Sequence, residues 1–81
     1  MADRFVAMEK FSKVADATDA TANYVEFTMP YTPIGIVAQI RSVTTGADNT
    51  AGKLITFANS KIKVAVTDLV AGDTVTVIAF A

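Results

Sequence analysis

The segment over residues 69–80 constrains the fold of this chain most strongly. It reads LVAGDTVTVIAF, so a turn around Gly72 opens into a run of β-branched and aromatic residues. Such a run after a turn is typical of a β-strand. Because so apolar a segment cannot remain free in water, we expect other strands to pair with it and to cover it. The sequence therefore predicts that this strand lies in the centre of a sheet.

The composition limits the ways in which so small a domain can be stabilised. The chain has 81 residues and contains neither cysteine nor histidine. Disulfides are therefore excluded, and a zinc site is nearly excluded because its usual ligands are missing. Yet 52% of its residues are hydrophobic and only 19% are charged. A domain of this size buries only about 60–65% of its unfolded surface. We therefore expect part of the apolar surface to be covered in a homo-oligomer or on a larger assembly.

The charge balance argues against several classes of partner. A net charge of −1 gives no electrostatic reason to expect nucleic-acid binding. No segment has the pattern of a signal peptide or the ~20 apolar residues of a membrane span. We expect a protein that is synthesised in the cytoplasm and binds neither nucleic acid nor a membrane.

Residues 23–81 predict an all-β domain. Alternating apolar residues recur about every ten residues with turn signals between them, which is typical of a small antiparallel sandwich or barrel. Residues 34–43 are apolar on both faces in their first half, so we expect a central position for that strand. Asn59 and Ser60 are expected to form a tight hairpin turn. The five predicted strands span 23–29, 34–43, 53–58, 61–66 and 74–80.

Residues 1–22 are predicted to form an amino-terminal arm and linker outside that domain. Residues 3–14 fit a helix, with several apolar side chains in one arc, and they fit an extended strand equally well. Residues 15–22 read ADATDATA, a low-complexity run that predicts a connector.

Four apolar side chains in the arm are the first candidate partner contacts, because a solvated tail has no need of them. Two alternatives stay open: they fold back and complete the core of their own domain, or they dock on a neighbouring protein across the linker. The four residues are Phe5, Val6, Met8 and Phe11.

Two tyrosines near the proline-containing corner are further candidates. Tyr24 and Tyr31, together with Phe27, could form an aromatic platform for a sugar or a peptide. The alternative interpretation, which we favour, has Phe27 in the core and the tyrosines covering its rim.

The remaining polar residues give little support for chemistry. Without histidine or cysteine, and with acidic residues scattered in turns, the sequence predicts no catalytic site and no cofactor. Oxygen ligands for calcium could come from Asp16 with Asp19, or from Asp48 with Asn49, but hydrogen bonds within turns explain them better. Lys61 and Lys63 could contact phosphate, although such residues more often keep a strand soluble and block edge pairing.

Two segments resemble short virion structural proteins of tailed bacteriophages. They are TPIGIVAQI at residues 32–40 and LVAGDTVTVIA at residues 69–79. The likeness extends over residues 23–81 and consists of the pattern of strand-forming and turn-forming residues. It implies a β-sandwich or β-barrel without enzymatic activity that binds the outside of a capsid in many copies, often as trimers. Residues 1–22 match no such pattern, so the resemblance does not identify the surface that meets the shell.

The resulting hypothesis is a decoration or cement protein on the capsid surface of a virion, with the major capsid protein or another virion subunit as its partner. In this hypothesis the arm bridges to the major capsid protein. The alternative hypothesis is a receptor-binding or glycan-binding module of a phage tail or fibre. Its binding surface would be the loop over residues 44–52 or the rim at Tyr24 and Tyr31.

Overall fold

The computed structural model describes residues 8–80. Their strands form two three-stranded antiparallel sheets, with the orders β1-β6-β3 and β2-β5-β4, that pack around one core. The predicted all-β fold, a sandwich or barrel of about five strands, is therefore confirmed; residues 8–80 form a sandwich of six strands, and neither of these sheets closes into a barrel. The elements are β1 (Met8–Val14), α1 (Ala17–Ala22), β2 (Tyr24–Thr28), β3 (Gly35–Arg41), β4 (Leu54–Ala58), β5 (Lys61–Ala65) and β6 (Thr74–Phe80).

Strand β6 lies between β1 and β3, which confirms the prediction of a central position. Val77 stands opposite Phe11 on one side and opposite Ala38 on the other. The inward residues Val75, Val77 and Ala79 are almost completely inaccessible to water. The most apolar segment of the sequence thus obtains its hydrogen bonds from two neighbours and its cover from the second sheet.

The core between the sheets consists mainly of small and β-branched side chains. Each sheet contributes the alternate residues of its strands, as the period-two pattern predicts. The buried apolar residues are Ala15, Val25, Met29, Ala38, Ile40, Ile62, Val64, Val66, Leu69, Val75, Val77 and Ala79.

Strand β3 is an edge strand, so the prediction that it lies in the centre of a sheet is wrong. Only one of its two apolar faces is buried, at Ala38 and Ile40. On the other face Val37 is 56% exposed, and Ile34, directly before the strand, is 79% exposed. An apolar pattern on both faces therefore arises here from one core face and one exposed apolar face.

The hairpin between β4 and β5 has the predicted tight turn. Asn59 and Ser60 both have positive φ, at 54° and 62°. Left-handed conformations at both central residues define the type I′ turn, whose twist matches that of the flanking strands.

Residues 8–14, which the sequence assigns to the arm, form a strand of the sandwich. β1 pairs with β6 along its whole length, from Met8 opposite Phe80 to Val14 opposite Thr74. The helical alternative is therefore wrong for these residues, because β6 offers them a complete ladder of backbone partners. Phe5 and Val6 lie outside the described residues.

The connector after β1 contains a short helix, α1, which begins at a reciprocal cap. The Asp19 backbone N–H donates to the Asp16 carboxylate at 2.8 Å, and the Asp16 N–H donates to the Asp19 carboxylate at 3.1 Å. This arrangement is a capping box, which satisfies backbone donors that a helix start leaves without partners. Asn23, with φ at 64°, ends the helix and leads into β2.

Candidate interaction surfaces

The outer face of the β1-β6-β3 sheet carries a cluster of apolar side chains at one end. Met8 stands opposite Phe80, and Ile78 stands opposite Val37, so two cross-strand pairs adjoin. Met8 is 63% exposed, whereas Ile78 and Phe80 are half-buried. We call Met8, Val37, Ile78 and Phe80 the apolar outer patch.

The close fit of Phe80 against β3 makes this patch continuous across the sheet. A methyl group added at Gly35 would lie 3.4 Å from the Phe80 ring, so the ring covers the glycine in the neighbouring strand. The exposed Lys10 stands opposite Ile78 on the other side and borders the patch. An apolar centre with a charged border is the usual composition of a protein–protein contact surface.

The other end of the same outer face is mostly polar. Ser12 stands opposite Thr76, and their hydroxyl oxygens lie 3.4 Å apart. Gln39 stands on the other side of Thr76, and Arg41 and Thr74 continue the polar half. The outer face is therefore divided: apart from Val14, which is 59% exposed opposite Thr74, its apolar side chains lie at the end at which β6 finishes.

Phe11 completes the core of its own domain. Its ring centre lies 5.9 Å from that of Phe27, and both rings pack against the buried residues. Of the two alternatives for the arm, Phe11 follows the one in which the chain folds back. Met8 lies in the same strand but does not join the core, since most of its side chain faces water.

The two candidate tyrosines do not form one platform. Tyr24, at the start of β2, faces outward, and the Lys63 ammonium lies 4.2 Å from its ring centre. Tyr31, beyond the other end of β2, packs against the core instead. Partial burial raises the pKa of the Tyr31 phenol, and the nearby Glu9 carboxylate raises it further.

Lys63 also stands opposite Glu26, within the central strand of its sheet, so it does not protect an edge.

The first acidic pair, Asp16 and Asp19, is used by the helix cap and by Lys13. The Lys13 ammonium lies 3.0 Å from the Asp19 carboxylate. This contact lowers the pKa of Asp19 and raises that of Lys13. The pair therefore has a structural explanation that fits hydrogen bonding within the turn.

The second pair, Asp48 and Asn49, is used in the loop between β3 and β4. The Asp48 carboxylate accepts a hydrogen bond from the Ile40 N–H at 3.1 Å. The Asn49 side-chain oxygen accepts one from the Ala51 N–H, also at 3.1 Å. In residues 8–80, no group of three or more acidic, histidine or cysteine side chains could hold a metal ion.

Sequence reasoning missed most of the apolar outer patch. It identified Met8, but it placed Val37 in a central strand and treated Ile78 and Phe80 only as parts of a buried strand. The available signal was the apolar character of both faces in residues 34–38 and 77–80. Such a pattern fits a strand that is buried on both sides and also a strand with an exposed apolar face.

Comparison with protein-family models, curated proteins and solved structures gives no significant match for this chain. Across residues 8–80 there is no helix with the length and apolar character that crossing a membrane requires.

Proposed function

We propose that this protein is a non-enzymatic structural component of a tailed-phage virion, which decorates or cements the capsid through protein–protein contacts. The single observation that supports docking on another protein is the apolar outer patch, whereas the assignment to a phage virion comes from the resemblance of residues 32–40 and 69–79. A small domain that leaves Met8 and Val37 more than half exposed beside Ile78 and Phe80 has a surface suited to docking on another protein. The proposed partner is an apolar surface of the major capsid protein or of another virion subunit.

The rigidity of the patch supports this proposal. Its residues belong to three hydrogen-bonded strands, and the strand that supplies Ile78 and Phe80 lies in the centre of its sheet. A surface built on such strands loses little conformational entropy when it binds. It can therefore dock without a prior folding step.

Symmetry would multiply a contact of modest strength. On a capsid the same docking surface is used by many copies, and contacts between neighbouring copies add to the contacts with the shell. Self-association of the protein is part of this proposal, and the resemblance to phage decoration proteins favours trimers. Docking of this kind requires complementary surfaces and involves no chemical reaction.

Quantitative mass spectrometry of purified virions tests the proposal. We expect the protein in the particle at a fixed ratio to the major capsid protein, with a copy number on the scale of the shell rather than of the tail. Its absence from purified virions would contradict the proposal, and a copy number of a few per particle would favour a tail location.

A second candidate function is recognition of a host-surface glycan or protein by a tail or fibre. One observation favours it: the loop between β3 and β4 forms an open depression with hydroxyl, amide and carboxylate groups, from Thr45, Asp48, Asn49 and Thr50. Such groups can bind the hydroxyls of a sugar. A glycan array separates the candidates, because the capsid proposal predicts no selective glycan binding.

A further inference from the structure

Strand β4 is the least protected of the four sheet edges. The edges of the two sheets are β1, β2, β3 and β4. Natural edge strands usually carry charged side chains or a covering loop, because an open edge pairs with other chains. Charged residues occur in β1, β2 and β3, whereas β4 reads LITFA and has none.

Strand β3 is additionally covered by the loop that follows it. The Asn49 N–H donates to the Ile40 carbonyl at 2.7 Å, and the Lys53 ammonium donates to the Ala38 carbonyl at 2.9 Å. Together with the bond from Ile40 to Asp48, these contacts occupy much of its outward backbone. An additional strand would have to displace this loop.

The outward backbone groups of β4 belong to Ile55 and Phe57. The two-residue turn closes on the pair of Ala58 and Lys61, so Leu54, Thr56 and Ala58 direct their backbone groups toward β5. The intervening residues Ile55 and Phe57 direct theirs away from the sheet. No strand within residues 8–80 pairs with that side of β4.

We propose that two copies of this protein pair through β4, antiparallel and across a twofold axis at Thr56. In this register Ile55 of each copy stands opposite Phe57 of the other, and the two residues exchange N–H to carbonyl hydrogen bonds. Each three-stranded β2-β5-β4 sheet then continues into the sheet of the second copy.

The occupant is a second copy because β4 is symmetric in character about its middle residue. Two apolar residues precede Thr56 and two follow it, so a twofold contact between identical strands places apolar residues opposite apolar residues. Ile55 and Phe57 are half-buried on the inner face, so their mutual contact extends both cores. Leu54, 61% exposed on the outer face, stands opposite Ala58 of the second copy. Within the paired strands no charges of the same sign meet.

This inference deepens the self-association contained in the proposed function, and it replaces the trimer that the resemblance favours by a dimer. It rests on the self-association contained in that proposal, but its test needs only the purified protein. Loss of capsid binding and loss of pairing can therefore be observed separately. A twofold contact gives dimers, whereas the trimers favoured by the resemblance need a contact between two different surfaces.

Paired substitutions by lysine test the contact. Thr56→Lys places two ammonium groups directly opposite each other at the proposed axis, where charges of the same sign destabilise a strand pair. Thr28→Lys is the matched control, because Thr28 is also exposed, lies in the other edge strand of the same sheet and stands opposite Lys61 of β5, as Thr56 stands opposite Lys63. Circular dichroism of both variants verifies that the sandwich is folded.

Sedimentation equilibrium gives the dissociation constants. We expect a dimer for the unmodified protein and for Thr28→Lys, and a dissociation constant at least about tenfold higher for Thr56→Lys, from the cross-strand repulsion. A monomer or a trimer of the unmodified protein at ~100 μM, a concentration at which weak specific pairs form, would overturn the inference. Equal dissociation constants for the two variants would also overturn it.

A disulfide between copies provides an independent readout. The chain has no cysteine, so Thr56→Cys introduces a single thiol per copy. At a twofold axis the two Cα atoms of position 56 would lie about 4.5 Å apart, within the range that a disulfide spans. We expect mild oxidation to cross-link Thr56→Cys and to leave Thr28→Cys uncross-linked. Cross-linking of both variants to the same extent, or of neither, would contradict the register.

Discussion

The Asp73 carboxylate accepts a hydrogen bond from the Val43 backbone N–H at 2.8 Å, across 30 positions of sequence. The other carboxylate oxygen accepts a hydrogen bond from the Val70 N–H at 3.0 Å. The backbone carbonyl of Asp73 accepts one from the Ala15 N–H at 2.7 Å. Asp73 is only 1% exposed, so the Val43 and Val70 N–H groups take the place of water as hydrogen-bond donors to its carboxylate. This residue joins the end of β3, the turn before β6 and the end of β1.

Replacement of Asp73 by alanine should destabilise the fold, because the N–H groups of Val43 and Val70 would lose their acceptor. We expect a loss of about 1–3 kcal/mol in the free energy of unfolding. Urea denaturation followed by circular dichroism measures it. Asp68→Ala is the control, because Asp68 is an exposed residue of the same connection. Equal losses in the two variants would show that burial of the carboxylate is unimportant.

The ion pair of Lys13 and Asp19 predicts a dependence of stability on pH. Because the pKa of Asp19 is lowered in the fold, the contribution of Asp19 to stability is complete above its ordinary pKa of about 3.8 and is lost as the pH falls through the folded value. Because the pKa of Lys13 is raised in the fold, the contribution of Lys13 to stability is complete below its ordinary pKa of about 10.5 and is lost as the pH rises through the folded value.

Lys13→Gln therefore should lower Tm at pH 7 and leave Tm nearly unchanged at a pH well below the folded pKa of Asp19. The effect at pH 7 should be small and should decrease with added salt, since Lys13 is partly exposed. Lys61→Gln, at an exposed position of β5, is the control. A Tm difference for Lys13→Gln that is the same at both pH values would contradict the role of the ion pair.

Gly72 is expected to tolerate alanine poorly, for two physical reasons. Its φ is +104°, and an added Cβ would lie 3.2 Å from the Val43 side chain. Gly46 shares a positive φ of +75° but has no atom within 4 Å of such a Cβ. Gly72→Ala should therefore cost more stability than Gly46→Ala, by about 1 kcal/mol or more for the added crowding. Thermal unfolding of both variants measures the difference, and equal costs would show that crowding is negligible.

Phe11 and Met8 should respond differently to truncation. Phe11→Ala removes a ring that packs on Phe27 and should cost about 2–4 kcal/mol, because a cavity remains at the core. Met8→Ala changes an exposed side chain and should cost less than about 0.5 kcal/mol. Chemical denaturation compares the variants. A negligible cost for Phe11→Ala would mean that residues around β1 contribute little to the core.

The sequence predicted the strands whose signals are local. β4 and β5 flank a turn that Asn59 and Ser60 specify by their own conformational preferences, and β6 has an uninterrupted apolar alternation. β1 was ambiguous because Glu9 and Lys13 occupy inward positions in its register. Such charges are accommodated only where an edge strand reaches partners outside the core, as Lys13 reaches Asp19.

The candidate surface was harder to predict than the fold. Alternation identifies two faces of a strand, but when both are apolar it does not identify the face that the second sheet covers. Val37 and Ile78 therefore looked like core residues. Which face becomes buried depends on pairing between distant segments, here of β1 and β3 with β6. No local sequence pattern contains that information.

The central claim is that the apolar outer patch attaches this protein to the viral shell. Its most direct test is co-sedimentation of the purified protein with capsids that lack it. The informative variant is Val37→Asp, which puts a charge into the patch at an exposed position, with Thr28→Asp as the control on the opposite sheet. We predict that the unmodified protein and Thr28→Asp bind in a saturable manner. Val37→Asp should remain folded and bind at least about tenfold more weakly, because binding would remove its carboxylate from water. Unchanged binding of Val37→Asp, or no binding of the unmodified protein, would contradict the claim.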